Sequence, residues 1–348
     1  MNTYPKIKLK KGKDASLKRF HPWIFSGAIA HRPDDLTEGQ VVEVWSHDGE
    51  YLATGHFQIG SIMVRIFAFQ QEEIHAAFWK VKLEKAVRWR KEIGLWGSKE
   101  TNIFRLVHGE GDGLPGLIVD YYGGVAVVQC HSVGFYLVRQ QIAEALKEIM
   151  GEDIQAVFDK SSHSLPFKAP VEPVDGYLLG ESQTWQAKES GNAYQIDVEK
   201  GQKTGFFVDQ RENRSLLSEY SKGKYVLNTF CYTGGFSVAA LTGGASAVDS
   251  VDSSAGAIRL TDENVRLNFG EEAPHQSFAT DAFEYLKDIQ DRYDVIVLDP
   301  PAFAKHHNVL DRALKGYRKI NRLAFEQIKP GGILFTFSCS QVVSKDAF

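Results

Sequence analysis

Cysteine is scarce in this 348-residue chain, with Cys130, Cys231 and Cys339 its full complement. Their spacing matches no metal-ligand pattern, so no metal is expected, and an odd, dispersed set makes no disulfide framework. Such thiols fit a reducing compartment, and at most one of them needs special chemistry. Long apolar runs are missing too: nothing approaches the roughly 18 residues of a membrane helix. The N-terminal MNTYPKIKLKKGK lacks the apolar core of a secretory leader, so a cytoplasmic protein with no membrane partner is expected. Neither sign of charge dominates. A net charge of −4 argues mildly against indiscriminate binding to nucleic acid.

What is present is a core-forming composition, 43% hydrophobic and long enough for two or three domains. Charge is also unevenly placed. Residues 1–20 carry Lys6, Lys8, Lys10, Lys11, Lys13, Lys18 and Arg19 against Asp14 alone, and Lys80, Lys82, Lys85, Arg88, Arg90 and Lys91 form a second cluster. A solvated face explains either cluster alone. Two of them, with a third described below, favour a polyanionic partner.

From Ile7 to about Phe69 the chain reads as short strands and turns: VVEVW, YLATGHF and IMVRIFAF follow an aromatic cluster, FHPWIFSGAI. In the order of these pieces the first 73 residues resemble a PUA domain, a small RNA-binding β-barrel. A small α+β domain is expected over 74–186. It comprises a helix over 74–96 with Phe78, Val81, Leu83, Ala86, Val87 and Trp89 as apolar positions, strands around Gly123–Gly124, a helix over 135–150 and a strand near 154–158. The loop GEGDGLPG, Gly109–Gly116, runs from strand to strand with no following Lys-Ser/Thr, so it reads as a turn rather than a phosphate cradle.

The organising stretch is Val226–Asp252, VLNTFCYTGGFSVAALTGGASAVDSVD: strand, glycine turn, helix, and a second strand ending on an acid. Glycines admit a ligand to the backbone, a helix N-terminus offers unpaired N–H groups, and the distal carboxylate can grip ribose hydroxyls. HQSFA before Asp281, YDVIVLDPP, and ILFTFS before Cys339 supply three further strands alternating with helices, hence a doubly wound, mainly parallel sheet. Asp252, Asp281, Asp299 and Cys339 all fall at the strand C-termini, the edge where open α/β sheets bind ligands. Upstream, Asp209 and Glu212 have capping-box spacing, so Asp209 is expected to start a helix reaching Tyr220. KTGFF before them has no such structural need.

The turn lacks G-x-G-x-x-G, which disfavours a dehydrogenase. Taken together, TGFFVDQRENR, NTFCYTGGFS, VDSS, DENVRLN, LDPPAFAK and FSCS resemble class I S-adenosylmethionine-dependent methyltransferases. Within them they are similar to bacterial large-subunit rRNA cytosine-5 methyltransferases of the RlmI type, across essentially the whole chain. The resemblance implies a Rossmann-like domain over 187–348 and S-adenosylmethionine as cofactor. It implies that Asn228, Phe230, Gly234 and Gly235 cradle the methionine end, that Asp252 with Ser253 holds the ribose, and that Asp281 and Ala282 meet the adenine. Thr204, Gly205, Phe206 and Phe207 would form a lid, with Asp209 and Asn264 also among the cofactor contacts. Pro300, Pro301, Phe303 and Lys305 would line the base pocket. Arg312, Lys315 and Arg318, with Lys319 and Arg322, share one side of a long helix by the 3.6-residue period and would meet RNA.

Carbon 5 of a pyrimidine becomes nucleophilic only after something adds to carbon 6, and a thiolate suits that addition. The resemblance places this nucleophile at Cys339, with Asp299 stabilising the ring at its N3 edge. Cys130 reads as a core filler and Cys231 as packing within the turn. Ala302 stands where some related enzymes carry a second cysteine. The expected partner is large-subunit ribosomal RNA, deproteinised or in an early assembly intermediate, and a homodimer is a candidate assembly. Two other readings stand beside this one: an N-methyltransferase acting on guanine or adenine, or a non-catalytic RNA-binding assembly factor. The chain ends at Phe348, before the final helix and antiparallel strands usual in this fold, so a C-terminal truncation is expected.

Overall fold

Burial alternates along the first strand and runs continuously through the middle ones. In Lys6–Leu9 (β1), Ile7 and Leu9 point inward while the lysines face solvent. Five more strands follow, Trp23–Phe25 (β2), Ile29–His31 (β3), Val41–Trp45 (β4), Tyr51–Phe57 (β5) and Ile62–Ala68 (β6), giving one sheet ordered β2-β6-β5-β4-β1-β3. Among the described residues of this sheet only β1 and β4 pair in parallel. Ile7, Val42, Val44, Ala53, Val64 and Ile66 fill its core. The computed structural model of the protein describes residues 4–166, 169–304 and 307–348.

Ala76–Glu92 (α1) follows, then Ile103–His108 (β7), Leu117–Tyr122 (β8), Val125–Cys130 (β9), Val133–Met150 (α2), Ala156–Asp159 (β10) and Gly176–Leu179 (β11). The second sheet is ordered β11-β10-β9-β8-β7, and its one parallel pair, β9 with β10, is the pair joined by a helix. In α1 the buried stripe is Phe78, Trp79, Leu83, Ala86, Val87 and Arg90. That corrects two expectations. Val81 and Trp89 are 51% and 54% exposed: Val81 sits on the helix face away from this stripe, and Trp89 at its margin. Arg90 is withdrawn from the basic cluster: it is buried and makes a bidentate pair with Asp112, its NH2 donating to Oδ2 at 2.7 Å. Lys80 is engaged as well, by Glu148 at 2.8 Å.

The chain forms two compact units, Met1–Lys188 with Ile196–Phe206, and Glu189–Gln195 with Phe207–Phe348. It passes between them through the hairpin strands Trp185–Glu189 (β12) and Asn192–Ile196 (β13). The second unit continues with Arg211–Tyr220 (α3), Tyr225–Thr229 (β14), Gly235–Thr242 (α4), Ala247–Asp252 (β15), Ala255–Phe269 (α5), His275–Ala279 (β16), Ala282–Tyr285 (α6), Val295–Leu298 (β17), Leu310–Gln327 (α7) and Ile333–Thr336 (β18). Its sheet runs β16-β15-β14-β17-β18 with every pair parallel, the doubly wound arrangement the alternation predicted. β17 is buried along its whole length, as a central parallel strand covered on both faces must be. The order reverses between β14 and β17, which opens the crevice in which such sheets hold ligands. Among the described residues no helix is long and apolar enough to cross a membrane.

Candidate active site

The parallel register aligns the strand ends. Thr229 lies level with Val251 and Leu298, and Leu298 with Thr336, so the segments that leave these strands share one edge. The turn after β14 is wound tightly. Phe230 and Tyr232 adopt φ of 57° and 48°, conformations that cost a side-chain-bearing residue of order 1 kcal/mol or more. Several bonds hold them there. Cys231 N donates to Val251 O at 3.1 Å, Tyr232 N to Asp252 Oδ2 at 3.1 Å, and Thr261 Oγ1 to Tyr232 O at 3.0 Å. Gly234, at φ 74°, precedes α4 directly, and a Cβ there would stand 2.8 Å from Thr261 Cγ2. Only glycine brings the turn this close to α5.

Asn228 is buried at the end of β14. Its Nδ2 donates to Ser237 Oγ at 2.8 Å, while its Oδ1 has no hydrogen-bond partner among the described residues. Asn264 sits differently from a ligand contact. It is fully buried, donates to Thr233 O at 2.8 Å and accepts from Gln195 N at 2.8 Å, so its amide braces the turn from beneath. Asp252 also accepts from Ser254 N at 2.9 Å, beside the exposed Ser253. Asp281 caps α6 through Glu284 N at 3.1 Å, and Ala282 behind it is buried.

The KTGFF segment divides between the units after Phe206. In the first unit, Thr204 Oγ1 donates to the buried Asp120 at 2.7 Å, and Tyr122 OH meets Thr204 Oγ1 at 2.7 Å and Phe206 O at 3.2 Å. Gly205, at φ 122°, lies where a Cβ would approach Ile196 Cγ2 to 2.9 Å. The segment therefore has the structural need that its sequence concealed. In the second unit Phe207 packs edge-on against Tyr232, ring centroids 5.4 Å apart.

Asp209 does not cap α3. A 3-10 turn, Val208–Gln210, intervenes, the helix starts at Arg211, and its N-terminus has no side-chain cap. The intervening turn carries Gln210 inward, where its Nε2 donates to Asp299 Oδ2 at 3.1 Å. Burial, with the nearby Asp209 carboxylate adding to it, pushes the Asp299 carboxyl up to about 6 against the pull of Arg214 and Gln210. Arg214 is itself a buried partner of Glu189, at 2.6 and 2.8 Å, and donates to Phe207 O at 3.0 Å. Gln210, Arg214 and Glu189 went unassigned in the sequence. Glu189 lies 25 residues before Arg214, beyond the reach of any local periodicity.

Cys339 follows β18, which runs beside β17 and its terminal Asp299. The thiol is exposed, and its Sγ donates to Pro300 O at 3.7 Å. Pro300 is buried and Pro301 exposed. Behind them Ser340 Oγ accepts from Ala304 N at 3.2 Å and meets Tyr317 OH at 2.9 Å, while Phe303 lies over Tyr317 with centroids 4.6 Å apart. This packing ties the Asp-Pro-Pro segment to the cysteine segment and to α7. The other thiols are buried: Cys231, 3.4 Å from Thr261 Oγ1, is pushed up to about 12, and burial raises Cys130 as well. On α7 the residues Ala313, Tyr317, Ile320 and Ala324 are buried, and Arg312, Lys315, Arg318, Lys319 and Arg322 are exposed on the opposite side. Lys305 lies outside the described residues.

The sequence of residues 104–347 matches the model of the S-adenosylmethionine-dependent methyltransferase family, and residues 7–69 match that of the PUA-like domain. The chain belongs to the S-adenosylmethionine-dependent methyltransferases. Ribosomal RNA large subunit methyltransferase I of Enterobacter sp. (strain 638) is 37% identical over 99% of this chain and 87% of its own length. The protein of that name from Klebsiella pneumoniae (strain 342) is 36% identical with the same coverage. The crystal structure of SMU.776 complexed with SAH superposes with a TM-score of 0.81 at 25% identity, over 99% of this chain and 88% of that one. The methyltransferase's own edge fits such a cofactor. It offers a strained turn whose Gly234 position is closed to any larger residue, an orphaned buried amide oxygen on Asn228, and carboxylates at successive strand ends.

Proposed function

We propose that this methyltransferase makes 5-methylcytidine in large-subunit ribosomal RNA, with Cys339 as its nucleophile. The observation that carries the reading is the exposed thiol of Cys339 beside Pro300, just past the strand that pairs with the one leading to Asp299, while Cys130 and Cys231 are buried. The relatives' name supplies the RNA class, and the PUA-like domain at the N-terminus suits an RNA ligand. A ribosomal substrate also puts the work in the cytoplasm.

S-adenosylmethionine, when bound, supplies an electrophilic methyl group on a sulfonium. Asn228 and the Phe230–Gly235 turn hold its amino-acid end, Asp252 its ribose, and Asp281 with Ala282 its adenine. At the base, Cys339 Sγ adds as thiolate to carbon 6, and the ring electrons shift toward N3. A carboxyl raised to about 6 can carry the proton that N3 then takes, which is the part assigned to Asp299. Carbon 5 thereby becomes the nucleophilic end of an enamine. After methylation, loss of the carbon-5 proton to a base expels the thiolate, and N3 returns its proton to Asp299, which restores the ring. Pro301 and Phe303 wall the pocket. Arg312, Lys315 and Arg318, none of them in a salt bridge among the described residues, meet the phosphate backbone of an RNA whose target base must be turned out to reach the thiol.

Nucleoside mass spectrometry of large-subunit RNA after reaction tests the assignment. 5-Methylcytidine is the expected product, and a methylated guanosine or adenosine amine would overturn it. Cys339→Ala is expected to lower turnover about 10³-fold or more while SAH binding persists.

A further inference from the structure

On one face of the second unit's sheet a line of buried polar side chains leads away from Asn228, and beyond Asn228 the chemistry above does not use it. Asn228 Nδ2 donates to Ser237 Oγ on α4 at 2.8 Å, Ser237 Oγ meets Ser250 Oγ on β15 at 2.7 Å, and Ser250 Oγ meets His275 Nε2 on β16 at 2.8 Å. His275 Nδ1 faces Asp262 Oδ1 on α5 at 3.7 Å. Asn228, Ser237 and Ser250 are each at most 1% exposed. The line is compact because Asn228 and Ser250 are paired in register and the His275 ring reaches diagonally across from its own partner, Val248.

A hydroxyl has one proton, so the direction of one bond in such a line sets the next. The carboxylate of Asp262 favours the ring proton on Nδ1. Nε2 is then an acceptor, Ser250 donates to it, Ser237 donates to Ser250, and the free lone pair of Ser237 takes the amide N–H of Asn228. Burial keeps the ring neutral despite the carboxylates of Asp262 and Asp249. The amide is thus held with Nδ2 inward, and Oδ1 remains a buried acceptor with no partner among the described residues. Such an oxygen costs free energy until a donor reaches it.

We propose that Asp262 and His275 are positioning residues for the cofactor: through Ser250 and Ser237 they fix the Asn228 amide so that Oδ1 accepts from the ammonium of the cofactor's amino-acid end. This rests on the reading of Asn228 as a contact to that end. The test is calorimetric binding of two probes to the full chain, SAH and 5′-methylthioadenosine, the second of which lacks the amino-acid end. His275→Leu and Ser237→Ala are expected to weaken SAH about tenfold and leave methylthioadenosine unchanged, with His275→Gln, which restores an acceptor near Nε2, close to the parent. Asp262→Asn, on a partly exposed side chain, is expected to give a smaller loss of the same selectivity and to shift the His275 ring nitrogen resonances toward the Nε2–H tautomer. Equal weakening of both probes would reduce the line to a folding element and overturn the proposal. Unchanged SAH affinity in these variants would overturn it too. If Asn228→Ala also left SAH unaffected, the underlying reading of Asn228 would fall with it.

Discussion

Two glycine-rich turns, one in each unit, show how similar composition serves opposite ends. Gly109–Gly116 runs from β7 to β8 and closes on itself: Leu114 N donates to Gly109 O at 2.9 Å, and Asp112 accepts both His108 N at 2.6 Å and the buried Arg90. Glu110 is likewise occupied, by Trp23 Nε1 at 2.8 Å and Arg65 at 3.3 Å. The turn from Phe230 to Gly235 runs from a strand into a helix instead, with two side-chain-bearing residues in left-handed conformations and an orphaned amide oxygen just before it. The first turn spends its polar groups on the protein. The second leaves the Asn228 amide oxygen beside it without a partner among the described residues.

That contrast can be broken by substitution, and the largest effect on cofactor binding belongs to the second turn. Gly234→Ala forces a Cβ to 2.8 Å from Thr261 Cγ2 at φ 74°. Loss of SAH affinity by about 100-fold or more, roughly 2.7 kcal/mol, is expected by calorimetry. In the first turn Asp112→Ala leaves Arg90 buried without its partner. A stability loss of about 3–5 kcal/mol is expected in denaturant unfolding of the first unit, with SAH affinity unchanged. Gly113→Ala should do least. Its φ of 68° is unfavourable for alanine, yet a Cβ would meet only the flexible end of Lys82 at 3.7 Å. A cost of about 1 kcal/mol, with no change in SAH binding, is the expected reading.

The same contrast explains what could be read from the sequence. Strands such as Val295–Leu298 are apolar throughout and are followed by an acid, so the parallel sheet and the shared edge that carries Asp299 and Cys339 are legible. Gly109–Gly116 is legible as a turn because a strand, not an α-helix, follows it. Charge pairing across space was not legible. Arg90 looked like one more surface cation until Asp112 claimed it, and Glu189 and Arg214 meet from separate elements. Asp209 had the spacing of a cap, but the chain interposes a 3-10 turn that delivers Gln210 to Asp299 instead. Ser237 left a faint sign, as a hydroxyl within the otherwise apolar GFSVAAL of α4. Its partners Ser250 and His275 lie on other elements, where no local pattern reveals them.

The central claim is that Cys339 attacks the base. RNA carrying 5-fluorocytidine has no carbon-5 proton to lose after methylation, so the thiolate cannot be expelled and the adduct should persist. Incubation with this RNA and S-adenosylmethionine, followed by nuclease and protease digestion and mass spectrometry, should yield a nucleotide joined to the Cys339 peptide. Methylated RNA released without any such adduct, from the parent and Cys339→Ala alike, would contradict the account.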